Sequence, residues 1–311
     1  AGAGEQLGDT ITTWVPGYST RQVVEVVEAA GIATDVDVFS VAIDTNGADL
    51  AVYGSVVDNL TGDPVYYAPA GTDETTVWVP GIAHLPGANE SLWRSDVAFL
   101  NDSESFISAR VDYVPEENLG ILVGMIVNIN PGNALYYIDV LGVSMLPPDT
   151  DSKGYFVVTS RGSYGVPHMV ARTYNLAPEG GTFGQNLEVF DEGELIHEGE
   201  SGYIPGVGTS ASPDEGFRTN VGILNTSTTQ DADVSLRAYY PTGEMHLVVP
   251  RLLIPREGFM QANVINLFDL SGVDVRLSLE VRVESGGAVA AYASEIDNRT
   301  QDPILIPAIR R

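Results

Sequence analysis

The sequence contains no cysteine, so neither disulfide bonds nor thiol chemistry contributes to this protein. Its stability must therefore come from packing and hydrogen bonding. Long apolar runs are missing too, and none approaches the roughly 18 to 20 residues of a membrane-spanning helix. The sequence thus predicts no membrane span, and its 33 glycines and 18 prolines indicate a globular, turn-rich chain.

Basic residues are also scarce. The chain has 15 Lys and Arg against 42 Asp and Glu, a formal net charge of -27, and Lys153 is its only lysine. A surface of this charge repels nucleic acid, which we exclude as a partner. The excess of carboxylates favours a solvated, self-repelling surface, with attraction of cations as the second interpretation.

The chain does have a long-range repeat. Residues 51–64, AVYGSVVDNLTGDP, return as AAYASEIDNRTQDP at 290–303, with eight of fourteen positions identical. Around them, residues 15–64 align with 254–303 without a gap. Such a sequence repeat indicates a duplicated structural unit. Some polar positions are shared by the two copies, and we interpret them as Asx-type turns rather than a metal site. They are Asp58, Asn59, Asp63, Asp297, Asn298 and Asp302.

A second kind of segment recurs as well, because residues 78–103 match residues 203–227. In both copies an arginine and a polar residue two positions later share one face of a predicted strand. Such a pair is expected to hold a neighbouring loop by charge-assisted hydrogen bonds. Its recurrence favours a structural role over an active site. The matched positions are Arg94, Asp96 and Asn101 in the first copy, and Arg218, Asn220 and Asn225 in the second.

These segments combine into a unit of about 120 residues, with an opening half and a closing half. The alternation of apolar and polar residues, clearest from Val275 to Val283, is typical of half-buried strands. Two stretches, 21–31 and 261–272, fit either a short helix or a strand. Short strands separated by turns predict an all-β protein of tandem antiparallel sandwiches in two and a half copies. The predicted domains are an N-terminal half-repeat at 1–72 and full repeats at 73–202 and 203–311.

The pattern resembles the immunoglobulin-like repeats of bacterial secreted and surface proteins. LNDS at 100–103 and LNTS at 224–227 carry the resemblance, each after an Arg-containing strand and before a V-x-V-x-Y type of strand. The last copy has Pro255-Arg256 where that family has a Pro-Gly turn. The resemblance implies immunoglobulin-like sandwiches and a role in stalks, adhesins or fibres outside the cell. The small residues of AGAGEQLG at the start are typical of the flank of a signal-peptidase cut.

No catalytic centre is expected. None of the four histidines recurs at an equivalent position of the repeat, and no nonrepeated cluster of acid, base and nucleophile is evident. RGSYG at 161–165 lacks the spacing of a GxSxG nucleophile elbow and is better read as a hairpin turn. The histidines are His84, His168, His197 and His246.

One segment imitates a calcium loop. DTDSKG at 149–154 has Asp149, Asp151 and Gly154 where such a loop has oxygen ligands and a sharp turn. Lys153 stands where a third oxygen ligand is needed. A solvated turn is therefore favoured, with calcium as the alternative, and no cofactor is expected.

Tyrosine doublets suggest a rival function. One ring of each doublet at 66–67, 136–137 and 239–240 has to point outward from a strand, and exposed rings stack on sugars. A carbohydrate-binding or adhesin module is therefore the alternative to a structural protein. Ordinary strand propensity also explains the doublets. Glycans are a further partner class because N-x-S/T triplets begin at Asn59, Asn89, Asn101, Asn225 and Asn298.

The half-repeat lacks the opening strands that pair with closing strands in the full units, so its apolar face and sheet edges need a partner. Three remedies stay open: a longer parent chain, folding onto the adjacent unit, or a strand from another subunit. For the third, the C-terminal stretch is a plausible donor, which predicts a homo-oligomer or homopolymer such as a self-assembling fibre or surface-layer subunit. The candidate contact residues are Ile304, Leu305, Ile306 and Ile309.

Overall fold

The computed structural model describes residues 6–33, 39–69, 71, 74–116 and 123–311. Within these ranges the chain forms strands that pair antiparallel and a few one-turn helical segments. The protein is therefore all-β, as the sequence predicts. No helix among the described residues has the length and apolar character needed to cross a bilayer.

The elements follow one another along the chain in three groups. The N-terminal segment contains α1 (Val26–Ala29), β1 (Gly54–Val57) and β2 (Pro64–Tyr67). The first sandwich contains β3 (Thr76–Pro86), β4 (Leu92–Leu100), β5 (Ile107–Pro115), β6 (Val123–Ile129), β7 (Ala134–Tyr137), a helical turn (Val140–Met145), β8 (Ser152–Ser160), β9 (His168–Leu176) and β10 (Thr182–Leu187). The second contains β11 (Ile196–His197), β12 (Ser201–Thr209), β13 (Phe217–Asn225), β14 (Ala232–Tyr239), β15 (Met245–Ile254), β16 (Phe259–Asn263), α2 (Val264–Phe268), β17 (Val275–Ser285), β18 (Ala288–Asp297), β19 (Pro303–Pro307) and β20 (Ile309–Arg310).

Strands β3 to β10 form two facing sheets. One has the order β6-β5-β8-β3 and the other β7-β4-β9-β10, and the end of β3 pairs briefly with β4. The second sandwich repeats this order, with β15-β14-β17-β12 facing β16-β13-β18-β19. The short strands β11 and β20 add to β18 and β12. Corresponding strands thus make corresponding pairs in both sandwiches.

Alternation explains which side chains enter each core. In β17, Leu277, Leu279 and Val281 are buried between the sheets, while Arg282 faces outward and hydrogen-bonds to Glu284. Since successive side chains on a strand point to opposite faces, every second residue of β17 contributes to the core. The first sandwich buries an equivalent set that includes Phe156.

Both first strands bend at their Pro-Gly pair. The register of β3 against β8 shifts after Pro80, and that of β12 against β17 shifts after Ile204, next to Gly206. Gly81 has φ 94° and Gly206 has φ 73°, values that favour glycine because it lacks a Cβ. The repeated Pro-Gly therefore marks a β-bulge.

An aromatic contact joins the two sandwiches. Tyr155 of β8 packs edge-on against Phe259 of β16, with ring centroids 6.2 Å apart, and its hydroxyl donates to the Glu257 carbonyl at 2.8 Å. Tyr292 of β18 and Phe190 belong to the same buried cluster. Residues from both sandwiches are therefore buried together, which fixes one against the other.

The N-terminal segment corrects one expectation. The hairpin β1–β2 pairs Val57 with Pro64, as β18–β19 pairs Ile296 with Pro303, so the end of the closing half forms as predicted. Upstream, residues 39–50 form no strand, although the alignment of 15–64 with 254–303 places the alternating strand Val275 to Val283 at 36–44. The remainder of that predicted strand, at 36–38, lies outside the described residues. The physical reason is pairing: β17 is held between β12 and β14, and no described strand flanks residues 39–50.

The C-terminus corrects a second expectation. The predicted donor strand is β19, which pairs with β18 of its own sandwich, and β20 pairs with β12. Leu305 and Ile306 pack against the chain's own cores, while Ile304 and Ile309 are exposed. This stretch is therefore already used within the chain, because its main-chain hydrogen bonds are formed in cis.

Candidate functional site

A polar cluster lies on the outer face of the sheet β7-β4-β9-β10. It combines side chains from five places in the sequence, and the hairpin β1–β2 lies over part of it. We call it the Asp96 cluster. Its members are Tyr67 of β2, His84 of β3, Arg94 and Asp96 of β4, Tyr136 of β7, Asp139 before the helical turn, and Arg172 and Tyr174 of β9.

Asp96 is the centre of the cluster and is buried. One carboxylate oxygen accepts from the Tyr136 hydroxyl at 2.8 Å, and the other accepts from the Tyr174 hydroxyl at 3.1 Å and the Asp139 amide at 2.8 Å. Burial, and secondly the charge of Asp96, raises the pKa of both tyrosines. Their hydroxyls therefore stay protonated donors and do not act as bases.

Asp139 connects the cluster to the helical turn. Its backbone is left-handed, with φ 43°, and one carboxylate oxygen lies 2.7 Å from His84 Nδ1. The other oxygen lies 3.5 Å from Arg94 Nε. Arg94 and Asp96 thus both contact Asp139, one through its carboxylate and one through its amide. The pair that the sequence singles out holds the loop before the helical turn.

The matched pair in the second sandwich behaves differently. Arg218 donates to Asn298 Oδ1 at 3.0 Å and to Gln301 Oε1 at 2.6 Å, so it holds the β18–β19 turn. Asn220 lies half-buried on β13. The arginine at this position thus holds a loop in both sandwiches, but the two loops are not equivalent.

Arg172 closes the cluster on the side of β10. Its guanidinium lies over the Tyr174 ring, 5.0 Å from the centroid, and Nη2 donates to Thr182 Oγ1 at 2.5 Å. Gly184 faces it, and a side chain there would overlap the guanidinium. Burial raises the pKa of Tyr67, which feels the charges of Arg172 and Asp96. The hairpin thus contributes its inward tyrosine to the cluster.

The Asp96 cluster is not repeated in the second sandwich. The second sandwich has other residues at the positions equivalent to Asp96, Tyr136 and Tyr174. These differences are visible in the sequence, but the proximity of Asp96, Tyr136 and Tyr174 depends on three separate strands. By strand pairing, the equivalent residues are Asn220, Gln261 and Ile296. Chemically, the cluster offers donors and fixed carboxylates. The Tyr136 and Tyr174 hydroxyls donate to Asp96 and have raised pKa values, so they are not activated as nucleophiles.

The repeated asparagines have matching structural roles. Asn101 and Asn225 are both fully buried. Asn101 donates to the carbonyls of Ser105 and Ile129, and Asn225 donates to carbonyls in the equivalent turn and strand. Each also accepts the amide two residues later. Their burial leaves both inaccessible to glycosylation in the folded chain, as is Asn298, whereas Asn59 and Asn89 are exposed.

The repeated Asp-Asn turns also correspond. The Asp58 amide donates to the Asp63 carbonyl, and the Asp297 amide to the Asp302 carbonyl, both at 2.9 Å. Each first aspartate accepts two amides of its own turn. These are Asx-type turns. Asn298 additionally donates to two carbonyls of the loop between β12 and β13.

The other candidates are scattered. His168 Nε2 lies 2.8 Å from Asp102, and His197 lies 4.0 Å from Glu192. The DTDSKG segment forms the turn before β8 and the first three residues of that strand, where Lys153 pairs with Glu116 at 2.8 Å. Among the described residues, no three His, Asp or Glu side chains are grouped so that they could hold a metal ion.

Comparison with known proteins adds little. No protein-family model and no curated protein matches the chain. Among solved structures it is similar to the PBSX exported protein XepA, with 11% identity over 78% of this chain and 85% of that one and a TM-score of 0.22. A structure of infectious bursal disease virus, Gt strain, matches with 8% identity, 87% and 82% coverage and a TM-score of 0.17. Such scores are too low to carry an argument.

Replacing Asp96 with alanine is expected to lower the free energy of unfolding by about 1 to 2 kcal/mol, because two tyrosine hydroxyls and one amide lose their acceptor. Urea denaturation measures the change. The matched control is Asn220→Ala at the aligned position, expected to stay within about 0.5 kcal/mol. Equal losses in both variants would show that Asp96 has no special structural role.

Proposed function

We propose that this protein is a non-enzymatic, extracellular structural protein whose immunoglobulin-like sandwiches join into a homopolymer by β-strand exchange. The observation that carries the proposal is the N-terminal segment. Half of the exposed large apolar side chains among the described residues lie between Leu7 and Tyr66. Apolar surface concentrated in this way marks an interaction site.

The pattern of the segment indicates what it binds. Phe39, Val41 and Ile43 alternate with small residues and are 40%, 55% and 55% exposed. The same alternation in β17 is buried because neighbouring strands lie on both sides. A segment with strand periodicity and no neighbour gains main-chain hydrogen bonds and buried area by adding to a sheet edge.

The acceptor edge in this arrangement is β15 of a second copy. It is an end strand of its sheet, paired among the described residues with β14 alone, and it exposes Met245, Val248 and Leu253. The C-terminal stretch is not required as a donor in this arrangement. Because the donor segment and the acceptor edge lie on different parts of the chain, the contact is head-to-tail, and repeated contacts build a filament unless they close into a ring.

Other features support a location outside the cell. The net charge of -27 keeps separate filaments apart, and the absence of cysteine makes the fold insensitive to redox conditions. The resemblance to bacterial secreted and surface repeats agrees with a location outside the cell. Cell fractionation of the native protein tests this part of the proposal, and a cytosolic pool without a precursor form would contradict it.

The assembly proposal is tested with the double variant Val41→Asp/Ile43→Asp. Wild-type chain at increasing concentration is expected to form filaments in electron micrographs and to scatter light, while the variant stays monomeric because charge cannot be buried against β15. The matched control, Val143→Asp/Val273→Asp, changes two exposed valines outside the segment and should still assemble. Circular dichroism verifies that all three chains fold. Wild type that stays monomeric, or a double variant that still assembles, would contradict the proposal.

A second candidate function is carbohydrate binding. Tyr53 and Tyr66 stack on the outer side of the β1–β2 hairpin with centroids 5.2 Å apart, and both are more than half exposed. Such a platform suits the apolar face of a sugar ring. Glycan-array binding that is lost in Tyr66→Ala and kept in Tyr164→Ala, another exposed tyrosine, would favour this function over assembly.

A further inference from the structure

The two copies of the Asp-Asn turn meet in space. Strand β10 contacts both β2 and β19, the strands that follow these turns. Asp63, the last residue of the first turn, is buried, and its Oδ2 accepts from the Gly184 amide of β10 at 2.7 Å. Asp302, the last residue of the second turn, is partly buried, and its side chain hydrogen-bonds to that of Asp63. Two carboxyl groups from equivalent repeat positions thus face each other.

Among the described residues, the charges that act on Asp302 are those of Asp63 and Asp297, both negative. The nearest positive group to this part of β10 is the Arg172 guanidinium, which lies beside Gly184. Residues 182–187 of β10 include no ionisable side chain. Within the second turn, Asp297 adds further negative charge, and Arg299 acts on Asp297. Arg218 is occupied by Asn298 and Gln301, and the Asp58 carboxylate is occupied by Thr182. Two ionised carboxylates that face each other repel, whereas a proton on one of them forms a hydrogen bond to the other.

We propose that Asp63 and Asp302 form a proton-dependent latch that holds the β1–β2 hairpin against both sandwiches and opens as the pH rises. The latch acts within one chain, so it does not depend on the assembly proposed above. Asp63 anchors the hairpin to β10 through Gly184, and Asp302 ties it to the second sandwich. The hairpin carries Tyr67 of the Asp96 cluster and continues from the N-terminal segment, so opening frees both.

The direction of the pH effect follows from the folded state. Burial, then the charge of Asp63 and its hydrogen bond, raises the pKa of Asp302 from 3.8 to about 7. A carboxyl group that holds its proton more tightly when docked favours docking fully at acidic pH. This contribution declines as the pH rises above the ordinary value and is lost as the pH passes through about 7. The hairpin should therefore be held more tightly in mild acid than in mild base, while the hydrogen bonds of Asp58 and Thr61 to Thr182 remain at both.

Amide hydrogen exchange of the full chain tests the latch at the Gly184 amide, corrected for the intrinsic rate at each pH. The protection factor is expected to fall about tenfold between about pH 6 and about pH 8. In Asp302→Asn the amide group donates to Asp63 at every pH, so protection should stay high. Asp63→Asn should behave in the same way, because its oxygen still accepts from Gly184 and its amide donates to Asp302.

The Gly208 amide is an internal control. It donates to the buried Glu295 carboxylate, which has Arg276 beside it rather than a second carboxyl group. Its protection should not change over the same pH range in any of the three chains. A fall at Gly184 that is equal in wild type and both variants would overturn the proposal, as would constant protection in wild type.

Discussion

Replacing Asn225 with alanine is expected to destabilise the protein by about 3 kcal/mol. The side chain is fully buried and donates to the carbonyls of Gln230, Ile254 and Pro255 at 2.8 to 3.2 Å. It also accepts the Ser227 amide at 3.1 Å. Alanine removes the side-chain partner of all these backbone groups at once, and water does not reach them to replace it. The loss in the free energy of unfolding therefore exceeds that of one hydrogen bond.

Chemical denaturation measures this loss in the free energy of unfolding, with the dependence of that free energy on denaturant concentration expected to have the same slope as in wild type. Asn101→Ala removes the equivalent bonds in the first sandwich and is expected to behave similarly. Asn59→Ala is the matched control, because Asn59 is exposed, and it should change the free energy of unfolding by less than about 0.5 kcal/mol. A buried-site variant as stable as the Asn59 variant would show that the turn does not depend on its asparagine.

Replacing Gly222 with alanine is expected to destabilise the protein by about 3 kcal/mol. A Cβ at this position of β13 would overlap the Tyr292 ring of the neighbouring strand β18. Tyr292 cannot move aside freely, because it is buried between the sandwiches and its hydroxyl lies beside Gly81 of β3. The added methyl group therefore forces the ring into the interface or bends the sheet.

A double-mutant cycle isolates this contact. Tyr292→Leu alone should be destabilising, since it removes a large buried side chain. In the presence of Tyr292→Leu, Gly222→Ala should cost less by at least about 1 kcal/mol, because leucine leaves room for the methyl group. Thermal or urea unfolding of the four chains supplies the cycle. Additive losses would mean that the alanine acts by some route other than the tyrosine ring.

Local features of the sequence predicted the fold class well. Alternating side chains, turn residues and the repeated Pro-Gly and Asp-Asn sequences act over a few residues, and the structure has strands, bulges and turns at these places. The choice between helix and strand at 261–272 was left open, and the structure contains both, with β16 followed by α2. Short apolar stretches do not distinguish the two by periodicity.

Which strand pairs with which was harder to predict. The alternation at residues 39–43 is as good as that of β17, yet only β17 has neighbours. The C-terminal stretch is apolar enough for a donor strand, but its edge is already paired with β18. A strand is stable only when another strand takes its hydrogen bonds, and that depends on partners distant in sequence.

The sequence by itself determined the all-β class, the duplicated turns and the buried asparagines' place in them, because each depends on residues close together in the chain. Only the tertiary structure brought Asp96 to Tyr136 and Tyr174, and Asp63 to Asp302. Asp63 and Asp302 are separated by more than two hundred residues in the sequence. Their meeting depends on how the hairpin and the two sandwiches pack, and burial away from water is what makes Asp302 hold its proton more tightly beside Asp63.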